Sequence, residues 1–237
     1  MEYTRLILEE HEHKKNLGVD FPEVDILSIW HRLITIFLTK GEIHSPRGPI
    51  SEPDSLEPDP ELLIKLSLWY ELLANRVWPM PGALEILEYL RGRGFRLGIV
   101  SNAQFYTPLI LESLFAMDLG SLGFEDKLCE WSYVGGRAKP SPDLFSRVLE
   151  ELAKEGITPE EVLYVGNDML NDVYAAGVKG CRTCLYAGDT RSLRLRKENP
   201  QLHSHRPDGI INRLSQLSQL LGTCTGPEGT HHKGAKI

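Results

Sequence analysis

No apolar run in this 237-residue sequence approaches the roughly 18 residues needed to cross a bilayer, so no membrane span is expected. The opening, MEYTRLILEEHEHKK, has too many charges and too short an apolar run for a secretory signal. Cysteine is scarce: Cys129, Cys181, Cys184 and Cys224 are the only four. Cys181 and Cys184 form one CxxC, with no second copy to complete a zinc site. The redox form of that motif opens a helix, whereas GCRTCLYAG reads as a strand whose residues three apart face opposite sides, so buried thiols are expected. A basic surplus is missing too. Lys and Arg number 26 against 33 Asp and Glu, a net charge of -7, and the acids are spread along the chain, which argues against a nucleic-acid surface. Internal repeats are also absent. The remainder, 41% hydrophobic and 25% charged, is ordinary globular composition, and a soluble cytoplasmic protein is the expectation. The length fits one large domain or a core with a smaller companion.

The N-terminal third reads as helical. Within VDILSIWHRLITIFL (24–38), Ile26, Ile29, Trp30, Leu33, Ile34 and Phe37 recur at helical spacing. A Pro-, Gly- and Ser-rich loop over 41–60 predicts a mobile surface excursion, and Pro60 opens a second helix carrying Leu62, Leu63, Leu66, Trp69, Leu72 and Leu73. Residues 1–78 are therefore expected to form a small helical subdomain with its own core. From Pro81, helix and strand alternate. GALEILEYLRGR predicts a helix with Leu84, Leu87 and Leu90 inward and Gly94 as its stop. FRLGIVSN predicts a strand, 107–115 a helix and LCEWSYV (128–134) a short strand. AKPSPDLFSRVLEELAKEG predicts a helix with Ser141 as N-cap, Pro142 at its first position, one face of Leu144, Val148, Leu149 and Leu152, and Gly156 as its stop. VLYV (162–165) predicts a buried strand broken by Gly166. Ala175 and Ala176 then suggest a short helix ended by Gly177. CRTCLYA and 207–221 supply a further strand, a strand-like turn and a last helix, and the tail from Gly222 has no periodicity and reads as disordered. The alternation over 79–221 predicts an α/β fold, a parallel Rossmann-like sheet with helices on both faces.

Three polar clusters fall at ends of these predicted strands. Ser101 and Asn102 close FRLGIV, where a hydroxyl and backbone N–H groups suit a phosphate or oxyanion, or equally cap the next helix. Lys139 stands before Pro140 and the capped helix, where a lysine pairs a phosphate and a carboxylate as a point charge, or simply faces solvent. Asn167, Asp168, Asn171 and Asp172 crowd the turn after VLYVG. They supply the hard oxygen ligands that magnesium prefers, or the local hydrogen bonds for which turns favour these residues.

The order Ser-Asn, Lys-Pro, Asn/Asp turn, each opening a new βα step, resembles the haloacid dehalogenase (HAD) superfamily over roughly 79–221. VSNA (100–103) looks like its second motif, AKPSPDLF (138–145) its third and VGNDMLNDVYAAGVKG (165–180) its fourth. The resemblance implies a Mg²⁺-dependent phosphatase acting on a small phosphorylated metabolite. Ser101 and Asn102 would then hold the phosphoryl group, Lys139 would neutralise its charge, and Asn167, Asp168 and Asp172 would hold the metal. Residues 1–78 would be the helical cap.

The family's first motif, an Asp-x-Asp that supplies the nucleophile and the general acid/base at the end of the central strand, does not occur in the sequence. Asp20 and Asp25 lie in helical cap sequence. In the fourth motif, Asn167 stands where the family has its first acid. Two expectations follow: a hydrolase whose nucleophile strand lies upstream of Met1, or a relative that binds or scaffolds without turnover.

Overall fold

The computed structural model describes residues 2–43 and 58–222. The predicted tail, apart from Gly222, and most of the Pro-rich loop lie outside the described residues. The chain divides into two compact units, Met1–Trp78 and Pro79–Ile237.

Among the described residues the first unit has three helices, α1 (Glu2–Asn16), α2 (Ile26–Thr39) and α3 (Pro60–Ala74). Asp25 caps α2, its carboxylate accepting from the N–H of Leu27 at 3.1 Å and the hydroxyl of Ser28 at 2.7 Å, so this acid serves the helix end. Ile26, Ile29, Leu33 and Ile34 of α2 are buried with Leu6 of α1 and Leu63 of α3. Tyr3, Trp30 and Tyr70 add a three-ring cluster with centroids 5.0–5.6 Å apart. Pro60 starts α3 as predicted, and Asp59 accepts from the N–H of Glu61. The apolar stripe predicted on α3 is buried only at Leu63, however, while Trp69 and Leu73 are about two-thirds exposed.

The second unit runs α4 (Ala83–Gly92), β1 (Leu97–Ser101), α5 (Tyr106–Phe115) and β2 (Phe124–Trp131). A 3₁₀ turn at Pro142–Phe145 then leads into α6 (Ser146–Ala153), followed by β3 (Leu163–Gly166) and a π-helical turn at Met169–Tyr174 continued by a short α-turn, Ala175–Val178. Last come β4 (Arg182–Tyr186), β5 (Gly209–Ile211) and α7 (Gln216–Gly222). Every strand pairing is parallel. Ile86, Leu90 and Leu217 of α4 and α7 pack on one face with Leu97, Leu163, Cys184 and Ile211. Phe145, Val148, Leu152, Ala175 and Ala176 pack on the other with Val100, Leu128, Val162 and Cys181. The α/β class with helices on both faces is as the alternation predicts.

The sheet itself is divided, in keeping with the absence of the family's first motif and the central strand that carries it. β1 pairs with β2, and β3–β4–β5 form a separate ladder. Among the described residues no strand lies between β1 and β3.

Smaller corrections have local causes. β2 starts at Phe124, and Ser132–Gly135 form a helical turn where a strand was expected. Ile86 is the buried partner of Leu90 on α4, with Leu84 only half-buried. Ser141 stands at the N-cap position without a side-chain capping bond. Gly166 does not break β3 but is its last residue; a Cβ there would lie 2.3 Å from Cγ of Asp172, so only glycine lets that carboxylate approach. Gly177 sits inside the short α-turn, and the left-handed residue after it is Gly180, at φ 86°. Cys181 and Cys184 belong to clusters on opposite faces. Both are free and buried, and burial pushes each thiol up to about 11.

Candidate active site

The three loops singled out in the sequence meet at the carboxyl edge of β1 and β3. Asn102 stitches the first to the second: its Oδ1 accepts from the N–H of Lys139 at 2.6 Å, and its Nδ2 donates to the Lys139 carbonyl at 3.0 Å. The amide of Asn102 thus places the lysine, a different task from the phosphate contact expected of it. Ser101 sits half-buried at the end of β1 beside it.

Lys139 points inward. Its Nζ donates to Oδ1 of Asp172 at 2.7 Å, to the Val100 carbonyl at 3.0 Å and to the Tyr164 hydroxyl at 2.8 Å. Tyr164 in turn donates to the Val100 carbonyl at 2.6 Å. The side chains of Lys139 and Asp172 are only 9% and 8% exposed, so this ion pair is held almost without water. Burial works against the ammonium, but the Tyr164 and Asp172 oxygens outweigh it and hold the amine above its ordinary value. Burial pushes the Tyr164 phenol up to about 12 against the opposing pull of Lys139.

The π-turn brings Asp172 there. Its widened ladder (Val173 N–H to the Asp168 carbonyl, 3.1 Å) turns the Asp172 carboxylate back under its own loop. Oδ2 accepts from the N–H groups of Asn167 and Asp168, both at 2.9 Å. Asp168 caps the π-turn, Oδ1 accepting from the N–H of Leu170 and Asn171.

Both Asp168 oxygens are also held by Arg196, through Nε at 2.8 and 3.0 Å and Nη2 at 2.6 Å. Burial opposes ionisation of Asp168, yet the Arg196 guanidinium and the turn N–H groups overcome it and keep the carboxyl below its usual range. Arg196 itself has φ 46°, the left-handed region that non-glycine residues seldom occupy. Asn167 donates through Nδ2 to the Ser192 carbonyl at 2.6 Å.

These contacts decide how the predicted metal set stands. Asp172 is matched to Lys139 and two N–H groups, and Asp168 to Arg196 and two more. Among the described residues there is no group of three His, Cys, Asp or Glu that could hold a metal. In this arrangement Asn167, Asp168 and Asp172 do not fit Mg²⁺, which requires near-octahedral oxygens and carboxylates not already matched to another cation. Arg196 occupies both Asp168 carboxylate oxygens, the atoms a cation there would need. Replacing it, Arg196→Gln, is expected to raise Mg²⁺ affinity at least tenfold in calorimetric titration; equal titrations of both proteins would show that the guanidinium does not compete for the site.

Two participants were absent from the sequence reading. Tyr164 was taken only as an apolar strand residue, and Arg196 lies in a stretch without periodicity, 28 residues from its partner.

A family model for haloacid dehalogenase-like hydrolases matches residues 38–178, more than half of the sequence. The chain belongs to the haloacid dehalogenase-like hydrolases. It is 29% identical to a phosphoglycolate phosphatase of Nitrosococcus oceani over 178 residues, covering 71% of each protein. It is 25% identical to a glyceraldehyde 3-phosphate phosphatase of Methanopyrus kandleri over 167 residues, 69% of this chain and 68% of that protein. Among solved structures, a 2-haloacid dehalogenase of Pseudomonas syringae superposes with TM-score 0.59 at 19% identity, over 94% of this chain and 79% of that one. The L-2-haloacid dehalogenase of Xanthobacter autotrophicus gives 0.53 at 20% identity, over 94% and 85%. These two likenesses support the fold alone. No helix among the described residues is long and apolar enough to cross a membrane.

Proposed function

We propose that this member of the family provides the phosphoryl-binding part of a phosphomonoester hydrolase acting on a small phosphorylated metabolite. The observation that carries the reading is Lys139, a buried ammonium fixed by Asp172 at 2.7 Å at the edge where Ser101 ends β1. There the ammonium would neutralise charge gathering on a transferring phosphoryl group, and the Ser101 hydroxyl would orient a phosphoryl oxygen. The phosphatases among the relatives support that substrate class. Residues 1–78 would serve as the family's helical cap.

Hydrolysis through an aspartyl-phosphate needs a carboxylate to attack phosphorus and expel the substrate's alcohol, after which water cleaves the acyl-phosphate to release inorganic phosphate and the free carboxylate. Asp168 and Asp172 are each matched to a cation and to two backbone N–H groups, and Asp25 caps α2. None is placed to be that nucleophile. The resemblance to the family would place the nucleophile instead on the strand that carries its first motif. That same observation favours a second reading, a protein that binds phosphomonoesters without turning them over. Magnesium enters neither reading as a step, since its carboxylates are matched elsewhere.

The test is p-nitrophenyl phosphate hydrolysis by this chain, with and without Mg²⁺, alongside calorimetric titration with inorganic phosphate. Phosphate binding that is lost in Lys139→Ala, with no turnover, is the expected result. Ordinary turnover would place the nucleophile among residues excluded above, and absence of phosphate binding would end the phosphoryl-site reading.

A further inference from the structure

The last matched pair of the β1–β2 ladder is Ser101 with Trp131. At Ser132 the second strand closes into the helical turn Ser132–Gly135. Gly136, in the left-handed region at φ 68°, ends that turn and donates its N–H to the Ser132 carbonyl at 2.8 Å. That carbonyl is thereby committed to the turn, and the side chain of Ser132 takes over the pairing with the β1 segment. Its Oγ accepts from the Ala103 N–H at 2.8 Å and donates to the Ala103 carbonyl at 3.2 Å. Ser132 is fully buried and Ala103 is 6% exposed, so one hydroxyl serves two backbone groups that water does not reach.

We propose that Ser132 is a positioning residue of the phosphoryl site: its hydroxyl sets the path of residues 101–103 and, through Asn102, the place of Lys139. The inference rests on the phosphoryl reading given above. Asn102 is held on both sides, by the end of the ladder at Ser101 and by the Ser132 clamp on Ala103. From there its amide reaches both backbone groups of Lys139, at 2.6 and 3.0 Å. The lysine backbone so fixed is the base from which Nζ meets Asp172 at 2.7 Å.

Burial decides that Ser132 acts through others, since a side chain closed to solvent does not meet a ligand that arrives from it. Removing the hydroxyl would leave the N–H and the carbonyl of Ala103 without that partner. The loop relieves this by shifting toward water, the cheaper course for a segment tied to the ladder only at Ser101. Asn102 makes two bonds to one residue, so the shift breaks both together. A displacement of about 1 Å at a positioning group costs up to roughly a hundredfold in function.

The test compares the full chain with Ser132→Ala and Ser132→Cys, the second filling the space with a sulfur that hydrogen-bonds only weakly. Well below their melting temperatures, both variants are expected to speed exchange of the Ala103 N–H and the Asn102 side-chain amide at least tenfold by NMR. Both are also expected to weaken binding of inorganic phosphate at least tenfold in calorimetric titration. A role in packing alone predicts that Ser132→Cys matches the unaltered chain in exchange and affinity, and that result would overturn the proposal. Faster exchange at Ala103 with the Asn102 amide and the phosphate affinity unchanged would overturn it too. Should neither variant fold, exchange in the unaltered chain decides: protection of both amides supports the clamp, and the rates of free amides refute it. If the unaltered chain binds no phosphate, the phosphoryl reading fails by itself, and the exchange rates still decide whether Ser132 sets this loop.

Discussion

Replacing Lys139 by alanine is expected to cost roughly 3–5 kcal/mol of stability, the penalty for leaving a buried charge without its partner. The carboxylate left behind, Asp172, is 8% exposed on its side chain and cannot turn to water, because Oδ2 is fixed by the N–H groups of Asn167 and Asp168. Three acceptors would lose a donor at once: Asp172, the Val100 carbonyl and the Tyr164 hydroxyl. Urea denaturation gives the loss directly. The double variant Lys139→Met with Asp172→Asn separates the charge from the packing. It removes both charges, keeps an acceptor for the two turn N–H groups and fills the lysine's volume with an apolar chain. Most of the loss should therefore return in it. A cost below about 1 kcal/mol for Lys139→Ala would mean that the pair is open to solvent and behaves like a surface ion pair.

Only part of this site was legible in the sequence. Ser101 and the Asn/Asp turn were legible because each sits where a short apolar run stops, and Lys139 because it stands just ahead of Pro140 and the helix signal that follows. Pro60 marked the start of α3 for a local reason, since its missing N–H is one the first helical turn does not use. Gly180 was missed in favour of Gly177 because the π-turn inserts residues that a 3.6-residue period does not count.

Partners fixed only by the path of the chain left no such mark. Arg196 reaches Asp168 because the chain returns alongside the turn, Met169 donating to the Arg194 carbonyl and Arg194 to the Asn167 carbonyl, both at 2.9 Å. Nothing in RLRK distinguishes that arginine from an exposed one. The likeness of Asn167, Asp168 and Asp172 to a metal set was a statement about residue types. The electrostatics of the folded loop, with one cation already matched to each carboxylate, was beyond a reading of types. The divided sheet, by contrast, was legible, because the absent first motif belongs to the strand that would lie at the centre of the sheet.

Phe145→Ala is the second change expected to have a large effect, about 3–5 kcal/mol, the usual range for removing a buried phenylalanine. Phe145 is 3% exposed and packs on α6 residues Val148 and Leu152. Its ring meets that of Tyr164 edge to face, centroids 4.9 Å apart at 78°. The Tyr164 hydroxyl is the group that bridges Val100 and Lys139, so core packing at Phe145 orients a hydrogen bond at the candidate site. Tyr164→Phe alone keeps the ring and loses the hydroxyl, at an expected cost of about 1 kcal/mol. If the phenylalanine positions that hydroxyl, the two changes are not independent: once the ring contact has gone, removing the hydroxyl costs less. Their double-mutant cycle in urea should then show a coupling of about 0.5–1.5 kcal/mol. Strict additivity would mean that Tyr164 finds Val100 and Lys139 unaided, leaving Phe145 a purely structural residue of the lower core.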